Sequence, residues 1–183
     1  MTSLIVLVAL VVLVAVLFIG AYNGLVRKRN AVDNAWAQVD VQLKRRHDLV
    51  PNLVETVKGY AAHERGALEA VVAARGRAVG ASSPQEHAAA EDLLTGALKN
   101  LFALAEAYPD LKASRNFSEL AEELSVTENR IAYSRQYYND AVLAYNNAVE
   151  TIPANIVAAA AGFRRREYFR APDEERGPVR VRF

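Results

Sequence analysis

The stretch "DVQLKRRHDLVPNLV", residues 40–54, decides how the chain folds. It reads as helix, yet an arginine sits on its apolar face and a proline sits inside it. Working outward, apolar or aromatic side chains fall at Val32, Trp36, Val39, Leu43, Val50, Leu53, Val57 and Tyr60. The steps alternate four and three, and Arg46 fills the one slot without an apolar residue. That is the stripe of a bundle helix or a coiled coil; a half-buried strand would alternate every second residue. Ala67, Val71 and Ala74 continue it more weakly. The pattern predicts one long helix over residues 22–79, kinked at Pro51, with Gly59 and Gly66 as further bending points. At 1.5 Å per residue such a helix would run roughly 85 Å if straight.

Downstream, "GASSPQEH" ends this helix at Gly80 and opens the next. Ser83 and Glu86 have capping-box spacing, with Pro84 at the first helical position. Leu94, Leu98, Leu101 and Ala105 form the second stripe, which stops before Pro109 because the residue ahead of a proline disfavours helix. "YPDLKASRNF" reads as a turn-rich connection, with Asn116 and Glu119 capping a third helix. That helix carries a heptad series of Leu120, Leu124, Thr127, Ile131, Ser134, Tyr138, Ala141, Tyr145 and Ala148, and ends near Glu150 ahead of Pro153. A short apolar helix, "ANIVAAAAGF", stops at Gly162. Tyr138-Asn139 and Tyr145-Asn146 repeat one heptad apart, so both phenols share a face; buried hydroxyls need partners, and interhelical hydrogen bonds are the expected ones. Residues 164–183 carry seven arginines against four acids and read as a flexible basic tail. Its final "PVRVRF" alternates like a strand that adds to a partner's sheet edge, or else remains solvated.

Upstream, the first 26 residues carry no charged side chain, and residues 4–19, "LIVLVALVVLVAVLFI", are apolar throughout. With the three residues that follow, this gives the roughly 20 residues that cross a hydrocarbon core. A signal peptide would open on a basic region, and only "MTS" precedes the run, so an uncleaved transmembrane helix over residues 4–22 is the preferred reading. Arg27, Lys28 and Arg29 follow at once, then Lys44, Arg45 and Arg46. Positive flanks stay cytoplasmic, which places the N-terminus outside and the helical body in the cytoplasm. Anionic headgroups favour the same cluster at Arg27, Lys28 and Arg29 by roughly 1 kcal/mol per cation, so membrane lipids are expected partners.

Pro51 has no N–H to give the carbonyl of His47, so that carbonyl is left free. Asp40, Lys44 and Asp48 lie at i, i+4 and i+8, which suits an Asp40–Lys44 pair. Arg46 faces inward, and a buried guanidinium is costly without a carboxylate. Glu91, Glu106, Glu122, Glu123 and Glu128 are candidate partners, with the His47 carbonyl as a further acceptor. In that reading Arg46 sets helix register. In the other, it lines a surface that binds a partner's carboxylate.

Composition excludes several function classes. Cations exceed acids by one over 183 residues, so no basic field suggests nucleic acid. There is no cysteine, which removes disulfides, thiolate metal sites and thiol catalysis. "HERGA" at His63 lacks the second histidine of a zinc-protease helix, and neither a nucleophile elbow around Ser82 and Ser83 nor a phosphate-cradling glycine spacing occurs. The expectation is a protein that is not an enzyme and has no cofactor, metal or catalytic residues.

The runs "YNGLVRKRNAVDNAWAQVDVQLKRRHDLVPNLVETVKGYAAHE", "YPDLKASRNFSELAEELSVTENRIAYSRQYYNDAVLAYN", "IPANIVAAAAGF" and "PVRVRF" together resemble the LemA family of bacterial membrane proteins. The "AW", "QLKRR-DL-PNLV" and "YPDLKA" blocks fall in order; Val50 departs from the more usual isoleucine before Pro51. The resemblance implies an N-terminal transmembrane helix and an all-α body. Some relatives act in shaping specialised membranes, and others are encoded near membrane metalloproteases. Sequence and resemblance together predict an all-α chain: a short extension (residues 1–3), a transmembrane helix (4–22), an elongated antiparallel bundle of three long helices and one short one (23–163), and the tail (164–183). They predict a scaffold or adaptor acting through a homo-oligomer or an integral membrane partner. A regulator of a membrane protease and a lipid-domain organiser are the alternatives. Candidate interaction or register residues are Trp36, Asp40, Gln42, Lys44, Arg45, Arg46, Asp48, Pro51, Asn52, Tyr138, Asn139, Tyr145, Asn146, Pro153, Asn155 and Phe163.

Overall fold

The computed structural model describes residues 1–169, so the strand-like reading of "PVRVRF" lies outside the described residues. Among the described residues six helices follow in order: α1 (Thr2–Tyr60), α2 (Arg65–Gly80), α3 (Pro84–Ala105), α4 (Pro109–Lys112), α5 (Arg115–Glu150) and α6 (Ala154–Ala161). The all-α class holds, with no strand among the described residues.

Three helix boundaries differ from the sequence expectation. The long helix does not run to residue 79. It ends at Tyr60, turns through Ala61–Glu64 and restarts as α2 at Arg65. Ala61 is buried in this turn, and the Tyr108 hydroxyl donates to Glu64 Oε1 across 2.9 Å, tying the turn to the α3–α4 connection. That bond to a carboxylate holds the Tyr108 phenol above its ordinary pKa. The connection before α5 contains the single helical turn of α4, whose Leu111 is fully buried. α5 begins at Arg115, so Asn116 lies inside it rather than capping it. Other signals read as expected. Ser83 accepts from the Glu86 backbone while the Glu86 carboxylate returns to the Ser83 and Ser82 backbones, and these bonds lower the Glu86 pKa, the Ser82 hydroxyl contributing most. Gly162 adopts φ +73°, the left-handed conformation that ends α6 and that side chains with a Cβ disfavour.

The contacts divide the chain into two units. Unit one comprises Met1–Gln38 and Gln136–Glu167. Residues 4–19 of α1 have no protein against them; Leu10, Leu13 and Leu17 are each more than half exposed. In water that surface would be strongly unfavourable at about 25 cal/mol per Å², and a bilayer is the medium that covers it. Below it, Leu25 packs on Val157 and Ala158 of α6, with Ala148, Val149 and Phe163 around them. Tyr22 meets the Phe163 ring edge-on at 5.6 Å, and the Arg29 guanidinium stands 5.3 Å from the same ring. Trp36 meets Tyr138 edge-on at 5.3 Å.

The first residues of the predicted tail are held in place. Asn146 bonds the Arg166 backbone through both its amide nitrogen and its oxygen, each at 2.9 Å, and the Arg166 guanidinium reaches Asp33. The Tyr138 hydroxyl donates to the Glu167 carbonyl at 2.8 Å. The tyrosine–asparagine repeat therefore fastens the non-helical segment after α6, where an interhelical bond was expected. Burial raises the Tyr138 and Tyr145 pKa values, opposed by Arg166.

Unit two comprises Val39–Arg135 together with Tyr168 and Phe169. Its core joins Val50, Leu53 and Val57 of α1, Leu68 and Val71 of α2, Leu94, Leu98 and Leu101 of α3, and Phe117 and Leu124 of α5. Each fully buried side chain of this size contributes about 1.5–3 kcal/mol. Phe169 is buried in this unit, with the Arg135 guanidinium 4.7 Å from its ring.

Candidate functional site

Arg46 and His47 are consecutive on α1, so their side chains leave the helix about 100° apart. Both reach one carboxylate. Glu91 of α3 is 2% exposed; its Oε2 accepts from Arg46 Nη1 at 3.0 Å, and its Oε1 lies 2.5 Å from His47 Nε2. The second arm of the guanidinium, Nη2, donates to Thr95 Oγ1 at 2.7 Å and stands 3.2 Å from Glu128 Oε2 of α5. One buried cation thus joins α1, α3 and α5. Its carboxylate partners differ: Glu91 is buried, whereas the Glu128 side chain is 47% exposed.

The freed carbonyl of His47 is also used. Arg75 of α2 donates to it from Nε at 2.7 Å. Arg46 does not take it, as one expectation had it, because the carbonyl points along the helix axis toward Pro51 while the Arg46 side chain points into the core. Pro51 lies inside a continuous α1. Its missing N–H opens a backbone acceptor to another helix.

The remaining sequence candidates fall at several places. Lys44 pairs with Asp48 at 3.1 Å, both exposed, and Asp40 is left out of the pair. Arg45 comes within 3.9 Å of Glu123 at the surface. Asn52 is exposed, and its carbonyl accepts from Thr56. Gln42 Oε1 and Asn155 Oδ1 are buried with no partner among the described residues. Arg27, Lys28 and Arg29 are exposed, Pro153 precedes α6, and Asn139 is engaged. The structure therefore gathers Asp40, Lys44 and Asp48 along one cleft of unit two, while Arg46 points into the core. Trp36, Tyr138, Tyr145, Asn146 and Phe163 belong to unit one. Sequence reasoning missed the His47 side chain, Thr95 and Arg75 as parts of the network.

Two clefts border the network. The larger, about 560 Å³, lies between α3 and α5, walled by Leu98, Phe102, Ala121 and Leu124, with Arg46, Lys99, Thr95, Ser125, Glu128 and Asn129 supplying polar groups. The smaller, about 330 Å³, is lined by Asp40, Lys44, His47, Asp48, Arg75 and His87. Burial holds the His87 imidazole below its ordinary pKa; His47 adds to the depression, while Glu91, Asp40 and Glu86 oppose it. Among the described residues no three His, Asp or Glu side chains are grouped to hold a metal. The arrangement offers a rigid charged core and concave helical surfaces.

A family model described as LemA family matches residues 35–183. Protein LemA of Metamycoplasma hominis is 29% identical, the match covering 88% of this chain and 74% of that protein. Magnetosome protein MamQ of Magnetospirillum gryphiswaldense is 27% identical over 81% of this chain. Magnetosome protein MamQ 2 of Paramagnetospirillum magneticum has the same identity and coverage. The chain spans 64% of the length of each magnetosome protein.

Proposed function

The chain belongs to the LemA family, and on that premise we propose that it is a membrane-anchored helical scaffold without catalytic activity. It acts at the bacterial inner membrane by self-association or by binding an integral membrane protein. The observation that carries this reading is the junction within α1. A charge-free apolar run with no protein against it continues, in one helix, into positions that pack against α3 and α5. Such a helix links the bilayer to a helical body whose faces and clefts can receive a partner. The cations at Arg27, Lys28 and Arg29 support a cytoplasmic body. The test is crosslinking in intact membranes, followed by affinity recovery and mass spectrometry. A dominant membrane protein or a defined self-ladder is the expected product; recovery of neither removes the scaffold reading.

The likeness to magnetosome proteins favours a second reading, in which the chain organises a membrane region through its lipids. Reversing the charges of Arg27, Lys28 and Arg29 would then redistribute the protein in the membrane and leave the crosslinked species unchanged. A change in turnover of a membrane protease's substrates on deletion would instead point to protease regulation.

A further inference from the structure

We propose that α6 and the turn ahead of it form a second membrane contact, with Ile152 and Ile156 entering the boundary between the headgroups and acyl chains of the bilayer. The proposal rests on the reading that residues 4–22 span the membrane, and every residue it uses belongs to unit one. Ile152 is 82% exposed and Ile156 66% exposed. Ile156, Ala159 and Ala160 lie at i, i+3 and i+4 on α6, one uncovered apolar face, and Ile152 stands in the turn that leads into it. The other side of α6 is occupied. Val157 and Ala158 are buried against Leu25 of α1, with Ala21 beside them.

What covers this face follows from its height on α1. Leu25 is three residues beyond Tyr22, about 4.5 Å along the helix. The headgroup layer adds about 5–8 Å on each side of the hydrocarbon core. Packing on Leu25 therefore holds α6 at headgroup level. The turn reaches as far. α5 runs toward the membrane, because Tyr138 meets Trp36 while Ala148 and Val149, further along, reach Leu25. Continuing from Val149 to Ile152 carries the chain toward the apolar run. The charges suit that level. Residues 20–29 and 147–165 carry Arg27, Lys28, Arg29, Arg164 and Arg165 against one acid, Glu150, which Arg165 already pairs at 3.1 Å. Such cations face anionic headgroups, and Tyr22, edge-on to Phe163, is the ring type that lines a membrane interface. A soluble partner would have to displace lipid to reach Ile152, whereas the bilayer already stands there.

The test uses the full chain, one copy per nanodisc of phosphatidylcholine and phosphatidylglycerol. The chain has no cysteine, so a nitroxide can be attached at one introduced thiol at a time. The sites are Ile152→Cys, Ile156→Cys, Leu10→Cys in the apolar run, and Asp140→Cys, exposed on α5 two residues from Tyr138. Electron paramagnetic resonance then compares collision with oxygen, which concentrates in lipid, and with a water-soluble nickel chelate. The labels at residues 152 and 156 should be several-fold less accessible to nickel than the label at residue 140, and richer in oxygen collisions, as at residue 10. A label at Ala159→Cys should gain nickel access when Ile152→Glu and Ile156→Glu are added; no gain would show that the isoleucines do not hold this face in lipid and would overturn the proposal. Nickel access at residues 152 and 156 equal to that at residue 140, with residue 10 still shielded, would overturn the second contact and leave the membrane span standing. Nickel access at residue 10 as well would remove the span, and the proposal with it. Shielding that requires two copies per disc would give the face to a second copy of the chain and overturn the bilayer as its occupant.

Discussion

At the residue scale, the network around Glu91 explains why an arginine stands on an apolar stripe. A buried ion pair gains little over a hydrophobic pair of equal volume, but breaking it strands a charge. Arg46→Met should therefore cost about 3–5 kcal/mol of unfolding free energy, since Glu91 and Glu128 lose their shared cation. The double variant Arg46→Met, Glu91→Leu should recover part of that loss. Urea denaturation of the reconstituted chain decides it: a single variant as stable as the parent would show that Arg46 does not hold the three helices together. His87 carries a second prediction. Its pKa in the fold is depressed, chiefly by burial. Above about 6.5 it is neutral in both folded and unfolded states. As pH falls below that value the unfolded chain takes the proton first and binds more protons than the fold, so stability drops. Comparing stability at about pH 7.5 and about pH 5.5 should show a larger loss in the parent than in His87→Gln. Equal losses would assign the pH dependence to other groups. Five glutamates in the sequence were possible partners for Arg46, and two of them, Glu91 and Glu128, meet it. Helical periodicity shows that Arg46 faces inward; which carboxylate lies opposite depends on interhelical register, which the stripe leaves open.

At the element scale, α1 and α2 are joined twice. The turn at Ala61–Glu64 brings the chain back, and Arg75 bonds the carbonyl that Pro51 leaves free. This gives a coupled prediction. Arg75→Met should cost about 1.5–3 kcal/mol, as expected for a hydrogen bond from a charged group to a half-buried acceptor. Pro51→Ala restores an N–H that the His47 carbonyl can accept, and in that background the Arg75 substitution should cost less by about 1 kcal/mol. A double-mutant cycle measures the coupling, and additivity of the two changes would show that Arg75 and Pro51 act independently. The elements were largely legible. Local chemistry sets the Ser83–Glu86 cap, the left-handed stop at Gly162 and the stripes of α1, α3 and α5, and local chemistry is what a sequence displays. The break after Tyr60 was legible only as a bend, at Gly59 and Gly66, which flank it. "YAAHER" contains neither proline nor glycine, and its residues tolerate helix. What ends α1 there is tertiary: folding back places Leu68, Val71, Ala74 and Ala78 of α2 against the core. The anchoring of residues 164–167 was hidden for a related reason. An arginine-rich composition argues for solvation, but Asn146 and Tyr138 hold this segment through its backbone, which composition does not describe.

At the scale of the whole molecule, one membrane-spanning run and an uneven distribution of cations set the expected orientation. No Lys or Arg occurs in the first 26 residues, and six occur between residues 27 and 46. Moving that many cations across a bilayer is opposed both by their desolvation and by the membrane potential, at about 2.3 kcal/mol per charge per 100 mV. The run should therefore insert with residue 2 outside and the helical body in the cytoplasm. Because the chain has no cysteine, a single introduced thiol reports its side cleanly. Thr2→Cys lies ahead of the run, and Glu122→Cys lies at an exposed position of α5. In spheroplasts, a membrane-impermeant maleimide should label Thr2→Cys and leave Glu122→Cys unlabelled until the membrane is lysed. Neutralising Arg27, Lys28 and Arg29 while adding lysines at residues 2 and 3 should shift the balance toward the opposite orientation. Labelling of Glu122→Cys in intact spheroplasts would put the body outside. The binding surfaces of unit two would then face the periplasm, and a cytoplasmic partner for them would be excluded.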